Sequence, residues 1–145
     1  MRILLDSNVL VYAYDRLSVN HVEAKSLVDK ALSKELEVCL CPQVLWEFFA
    51  VITNPRRASS PMGVGDASDL CLDLWECSEV EKITPSSSVC SMVFQLAKER
   101  NLSAAEIFDC VLAATAKENG VDCIYTENVR DFRSYGFLKV MNPFR

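Results

Sequence analysis

Hydrophobic and polar positions along the chain alternate between two periods. Short continuous apolar runs, the pattern of strands buried on both faces, are separated by stretches with helical spacing. Arg2 to Leu5 reads as a first strand. Ala24, Leu27, Val28 and Ala31 then recur at helical spacing. "EVCLC", Glu37 to Cys41, reads as a second strand, and Pro42 opens a helix to about Thr53, because proline is tolerated in a first turn. "NPRRASSPMG", Asn54 to Gly63, is a breaker-rich loop. Ala67, Leu70, Cys71 and Leu74 make the next helical stripe, with Asp66 expected as its N-cap. "EKIT", Glu81 to Thr84, reads as a short strand, and Val89, Met92, Val93, Leu96 and Ala97 as another helix. "SAAE", Ser103 to Glu106, has the form of a capping box, and its helix should end near Gly120. Val121 to Thr126 and Phe137 to Met141 complete the strands. Strands alternating with helices imply right-handed crossovers and a parallel sheet covered on both faces, an α/β domain.

At 145 residues the expectation is one domain spanning the chain. Half the residues are hydrophobic and the formal net charge is -5, which argues against a broad phosphate-gripping surface. The seven cysteines are odd in number, lack CxxC spacing and mostly sit in apolar stretches, so they read as small buried hydrophobes in a reducing compartment. No signal peptide is read, because Asp6 interrupts the N-terminal apolar run, and no membrane span is expected, since "VLWEFFAVI" is short and contains Glu47. The expected location is the cytoplasm.

The carboxylates change the picture. Asp6 ends the first strand, Glu47 interrupts "VLWEFFAVI", and Asp109 interrupts "IFDCVLAATA". Asn128 and Asp131 follow the strand "CIYT". Each odd acid lies at a strand's carboxyl end or in a helix's early turns, places that converge on the ligand-binding rim of a parallel sheet. Taken singly, such acids serve as turns, caps or solvated charges. Together they would repel one another unless a hard divalent cation intervened, and magnesium suits a site of few carboxylates and several waters. Other chemistries lack their residues. There is one histidine, His21, four glycines are too few for a phosphate-cradling Gly-rich loop at any strand end, and no GxSxG elbow occurs.

In order and at this length, these stretches resemble the PIN-domain ribonucleases, most closely the VapC-type toxins of toxin–antitoxin pairs. "LLDSNVLVYAYD" resembles the first motif of that family, "WEFF" with "VITNPRR" the second, "IFDCVLAATA" the third and "YTENVRDF" the closing one. The resemblance implies a three-layer α/β/α fold around a five-stranded parallel sheet. It also implies Mg2+- or Mn2+-dependent hydrolysis of RNA. Asp6, Asp109 and Glu47 would hold the metal, Asn128 and Asp131 would complete the catalytic set, and Ser7, Asn8 and Thr126 would support it. Many relatives carry an acid where this chain has Asn128, so a second metal would rely on Asp131, which otherwise reads as a cap of the "RDF" turn. Arg56 and Arg57 are the expected RNA contacts, with Arg130 and Arg133 as further candidates. A small antitoxin protein and a homodimer are the implied partners. The alternatives are an RNA-processing or decay nuclease of the same fold without an antitoxin, and a non-catalytic PIN-like module that only binds.

Overall fold

The computed structural model describes residues 1–145. The chain runs β1 (Arg2–Leu5), α1 (Ser7–Ala13), α2 (His21–Leu32), β2 (Glu37–Leu40), α3 (Pro42–Ile52), α4 (Val64–Glu76), β3 (Glu81–Lys82), α5 (Ser87–Arg100), α6 (Glu106–Glu118), β4 (Cys123–Tyr125), α7 (Val129–Arg133) and β5 (Lys139–Met141). All five strands are parallel, in the order β3-β2-β1-β4-β5. The α/β class and five-stranded parallel sheet expected from the sequence are what the chain forms.

The chain first steps leftward from β1 to β2 and β3, then crosses to β4 and β5 on the other side of β1. With right-handed crossovers, helices joining leftward steps cover one face and those joining rightward steps cover the other. The packing follows that division. α1 lies on α2 and α3, and α3 on α4; α5 lies on α6, and α6 on α7. The core is one cluster of 33 buried residues, with Ile3, Leu4, Leu5, Val38, Leu40 and Ile124 from the strands at its centre. Strand order reverses between β1 and β4, and ligands of open α/β sheets bind beyond the strand ends at such a point.

The structure departs from the expected boundaries in several places. α1 and α7 are helices the pattern does not announce, because they are only seven and five residues long. Asp66 is not the N-cap of α4; Gly63 is, and Asp66 sits in the first turn, where its charge suits the helix dipole. The "SAAE" capping box is only half formed. Glu106 Oε1 accepts the Ser103 N–H at 3.2 Å, but the helix starts at Glu106 itself. Ala104, at φ 51°, turns the chain before it. β3 is two residues rather than four. Every cysteine is free; Cys39, Cys41, Cys110 and Cys123 are buried, whereas Cys90 is exposed. No helix is long and apolar enough to cross a membrane.

Candidate active site

Leu5 of β1 pairs with Tyr125 of β4, and the Asp6 N–H donates to the Tyr125 carbonyl at 3.0 Å. Asp6 and Thr126 are therefore the next residues along two adjacent parallel strands, at the point where strand order reverses. Asp6 is 4% exposed. Its carboxylate is the N-cap of α1, with Oδ1 accepting the Ser7 N–H at 2.7 Å. Oδ2 accepts the Thr126 hydroxyl at 2.7 Å and the Asn8 amide at 3.3 Å. No cation pairs with it. Burial pushes its pKa up, and the neighbouring Glu47 charge adds to that, while the three donors pull it back. The cap reading of Asp6 and the site reading thus hold at once.

Glu47 lies midway along α3, which the sequence shows as nearly unbroken apolar residues. The helix resolves the puzzle: Phe48 is buried, Trp46 is 72% exposed and Glu47 lies between them on the site side. Its Oε2 accepts the Ser7 hydroxyl at 3.2 Å and its Oε1 the Gln43 amide at 3.1 Å. Gln43 also donates to the Phe108 carbonyl at 3.0 Å, tying α3 to the start of α6. Gln43 was not among the expected residues, although its position one helical turn before Glu47 could have marked it.

Asp109 occupies the first turn of α6 and is half-buried. Its pKa is pushed up to about 6, first by burial, then by the charges of Asp131, Asp6, Glu47 and Glu106. Those five acids therefore share one neighbourhood, although they are spread over 126 positions of sequence from Asp6 to Asp131. Asp131 does not cap the "RDF" turn as expected. Its backbone N–H closes the turn onto the Asn128 carbonyl at 3.1 Å, and of the acids around Asp109 it raises that pKa most. Asn128 precedes α7 with its side chain uncommitted, its N–H donating to Thr126 Oγ1 at 3.0 Å. Asn8 bridges the two strand ends, its amide donating to Thr126 Oγ1 at 3.3 Å and its Oδ1 accepting the Glu127 N–H at 3.2 Å.

Arg56 and Arg57 are not brought to the carboxylates. The Arg56 N–H donates to Asn54 Oδ1 at 2.9 Å in a turn. Arg57 lines a cavity of about 410 Å3 beyond the far end of α1, with Tyr14, Asp15, Arg16, Met62 and Asp66. His21 opens α2, its Nδ1 3.0 Å from the Tyr12 carbonyl.

The carboxylate and amide groups gathered at the rim offer oxygen, the chemistry of a hard cation, while the nearby Cys41 thiol is buried with its pKa pushed up to about 11 and so stays protonated. They do not form a closed cage, since no three of the chain's Asp, Glu, His and Cys side chains are already arranged to hold an ion. A cation that keeps several waters and takes only one or two carboxylates directly fits such an open set.

Asp109 gives this rim a pH signature. Its ordinary value is 3.8, so between about 4 and 6 the folded chain binds more protons than the unfolded one. This group's contribution is present below the unfolded pKa and is lost as pH rises through the folded value. In EDTA, the difference in Tm between Asp109→Asn and the wild type should widen in favour of the variant as pH rises from about 4 to 7. A difference flat across that range, followed by calorimetry, would mean that Asp109 is not crowded by its neighbours.

An open parallel α/β sheet with carboxylates at its strand-order reversal defines the class: a metal-suited acidic site on a three-layer domain. The PIN domain family model matches residues 3–138, and the chain belongs to that family. It is 27% identical over 139 residues to Ribonuclease VapC24 of Mycobacterium tuberculosis, covering 96% of this chain and 94% of that protein. Its fold is similar to the crystal structure of M. tuberculosis VapC20, a sarcin–ricin-loop-cleaving toxin, at TM-score 0.69 and 18% identity, covering 95% and 98% of the two chains. A toxin–antitoxin complex from Klebsiella pneumoniae matches at TM-score 0.63 and 17% identity, covering 99% and 98%. The resemblance to VapC-type PIN proteins read from the motifs stands.

Proposed function

We propose that the protein is a divalent-metal-dependent endoribonuclease, the toxin of a toxin–antitoxin pair. The observation that carries this reading is the gathering of Asp6, Glu47, Asp109 and Asp131 at the β1/β4 reversal, with Asp109 crowded enough to titrate near 6. Acids left so close without a cationic partner suit a site completed by a cation. The family match and the ribonuclease names of its relatives support RNA as the substrate. The likeness to the Klebsiella complex supports an antitoxin partner, and a homodimer belongs to the same reading.

Asp6, Asp109 and Glu47 would hold Mg2+ or Mn2+, with the Asn128 carbonyl oxygen and Asp131 at the edge. When bound, the ion would supply Lewis-acid stabilisation of charge on the scissile phosphate and a more acidic attacking water. The chain's own residues set the geometry. Ser7, Asn8 and Thr126 fix both oxygens of Asp6, so this ligand is preorganised. Ser7 and Gln43 hold Glu47 from two sides. The Asp109 carboxylate has no hydrogen bond restraining it, so it adjusts to the charge it meets.

The test is cleavage of cellular RNA by purified protein in Mg2+, with growth arrest on expression that co-expression of a small neighbouring gene relieves. Cleavage without any such gene would move the protein to the RNA-processing reading. RNA binding without cleavage would leave a binding module.

Arg56→Ala with Arg57→Ala is expected to weaken RNA binding more than it lowers kcat. The log–log salt slope of binding should fall by about 1.4, roughly 0.7 for each single-strand phosphate that is no longer neutralised. An unchanged slope would return the pair to the loop, where Arg57 has Asp15 and Asp66 beside it in its cavity.

A further inference from the structure

Acids outnumber the 15 Lys and Arg residues in a chain of net charge -5, yet three arginines meet in one place. Arg130, Arg133 and Arg145 line a cleft of about 640 Å3 between α7 and the segment after β5, together with Glu127 and Asn142. Local structure explains the convergence. Arg130 and Arg133 stand three apart on α7 and so share a face. The Phe144 N–H donates to Asn142 Oδ1 at 2.9 Å, turning the chain back after β5. The Phe144 ring packs edge-on against Tyr12 of α1, centroids 5.5 Å apart, which holds Arg145 over the cleft. The Thr126 N–H donates to the Met141 carbonyl at 2.9 Å and locks this edge to the strand end beside Asp6.

The three guanidiniums have no carboxylate partner; the chain's ion pairs are Met1–Glu37, Arg2–Glu81, Lys25–Asp29 and Lys34–Glu79. Glu127, the one acid in the cleft, is instead engaged by the Tyr12 hydroxyl. It lies between Thr126, which donates to Asp6, and Asn128, so one wall of the cleft is built from the segment that follows the strand end beside the rim. Unpaired, exposed arginines suit planar bidentate recognition of phosphate. They also answer an electrostatic need, since a rim of acids repels the polyanion it is to cut.

We infer that this cleft is a phosphate-binding subsite that holds the backbone of the RNA strand where it passes the carboxylate rim. The inference rests on the ribonuclease reading and adds the surface that offsets the site's own negative charge. A protein partner bearing acidic side chains would use the same guanidiniums, but the place of Glu127 next to Thr126, whose hydroxyl holds Asp6, favours the nucleic acid.

The test compares wild type with Arg130→Gln/Arg133→Gln/Arg145→Gln, whose side chains line the cleft. A second variant, Lys30→Gln/Lys34→Gln, removes charge where α2 leads into β2, at the opposite rim of the sheet. Binding of a fluorescein-labelled oligouridylate is followed by anisotropy in EDTA across a salt series, so that no cleavage is needed. The cleft variant should bind about tenfold or more weakly at low salt, with a log–log slope smaller by about two, from three phosphates at roughly 0.7 each. The Lys30/Lys34 variant should match the wild type. In Mg2+, KM of the cleft variant should rise while kcat stays within about twofold, because these residues touch backbone and not reacting atoms. Unchanged affinity and slope in a protein that cleaves RNA would overturn the cleft and leave the ribonuclease reading standing. A wild type that binds through the cleft without cleaving RNA in Mg2+ would overturn that reading and keep the cleft. Loss of polyglutamate binding with RNA binding intact would assign the cleft to an acidic protein and overturn the proposal.

Discussion

Asp109→Asn is expected to abolish RNA cleavage, by about a thousandfold or more, while the protein folds and its metal-free Tm at pH 7 rises. The rate loss follows from the charge stabilisation at stake, several kcal/mol at roughly tenfold per 1.4 kcal/mol. The gain in stability follows from the site. Asp109 is half-buried among Asp131, Asp6, Glu47 and Glu106, and burial and those charges destabilise the ionised form it must hold at pH 7. Asparagine keeps the shape and removes the repulsion. Asp6→Asn should lose activity equally without the same gain. Both Asp6 oxygens accept hydrogen bonds, from Ser7, Asn8 and Thr126, and an amide would set its own N–H groups against at least one of those donors. Steady-state cleavage with purified protein and calorimetry in EDTA check both halves. Near-wild-type rates in either variant would remove the carboxylate rim from the chemistry. Activity lost together with stability in Asp109→Asn would make Asp109 a structural residue.

Chelation should have an effect of the same size. Cleavage should stop in EDTA and return with Mg2+ or Mn2+, and Ca2+ should bind but restore little, because its longer and looser coordination misplaces the attacking water. Titration of the metal-free protein with Mn2+ by calorimetry should show one well-occupied site without RNA. The open arrangement around Asp6, Glu47 and Asp109 offers charge enough for one ion, and Asn128 brings an oxygen without a charge. Asn128→Asp should tighten a second site. Asp131→Ala bears on the same question, because its charge reaches Asp109 and its side chain caps no turn. It should weaken metal binding and raise the apo Tm, with a smaller loss of rate than Asp109→Asn. Full activity after exhaustive chelation would exclude a metal mechanism.

Much of this protein is written in local patterns. Continuous apolar runs such as "RILL" mark strands covered on both faces. Stripes such as Ala24, Val28 and Ala31 mark helices with one buried side, and all three of those residues are buried. Such periods depend on neighbours a few residues apart, so they survive in the sequence and yield the class of fold and the order of its elements. Acids that break apolar context, Asp6, Glu47 and Asp109, were legible for the same reason: each violates its local pattern. Elements of one or two turns were not legible, because α1 and α7 are shorter than the window in which a helical period declares itself. Nor was the true start of α6, where the Ala104 turn displaces the helix from its capping signal.

What only the tertiary structure decided is which of these signals meet. The strand order β3-β2-β1-β4-β5 sets Asp6 beside Thr126 across 120 residues and brings Asp131 to Asp109. It leaves Arg57 in a separate cavity and collects Arg130, Arg133 and Arg145 beside the rim. Those outcomes follow from long-range pairing and from the turn that folds Phe144 onto Tyr12. A charged residue on an exposed face carries no periodic mark of the neighbour it will have, because its distance from other charges is set by the packing of elements and not by the chain around it.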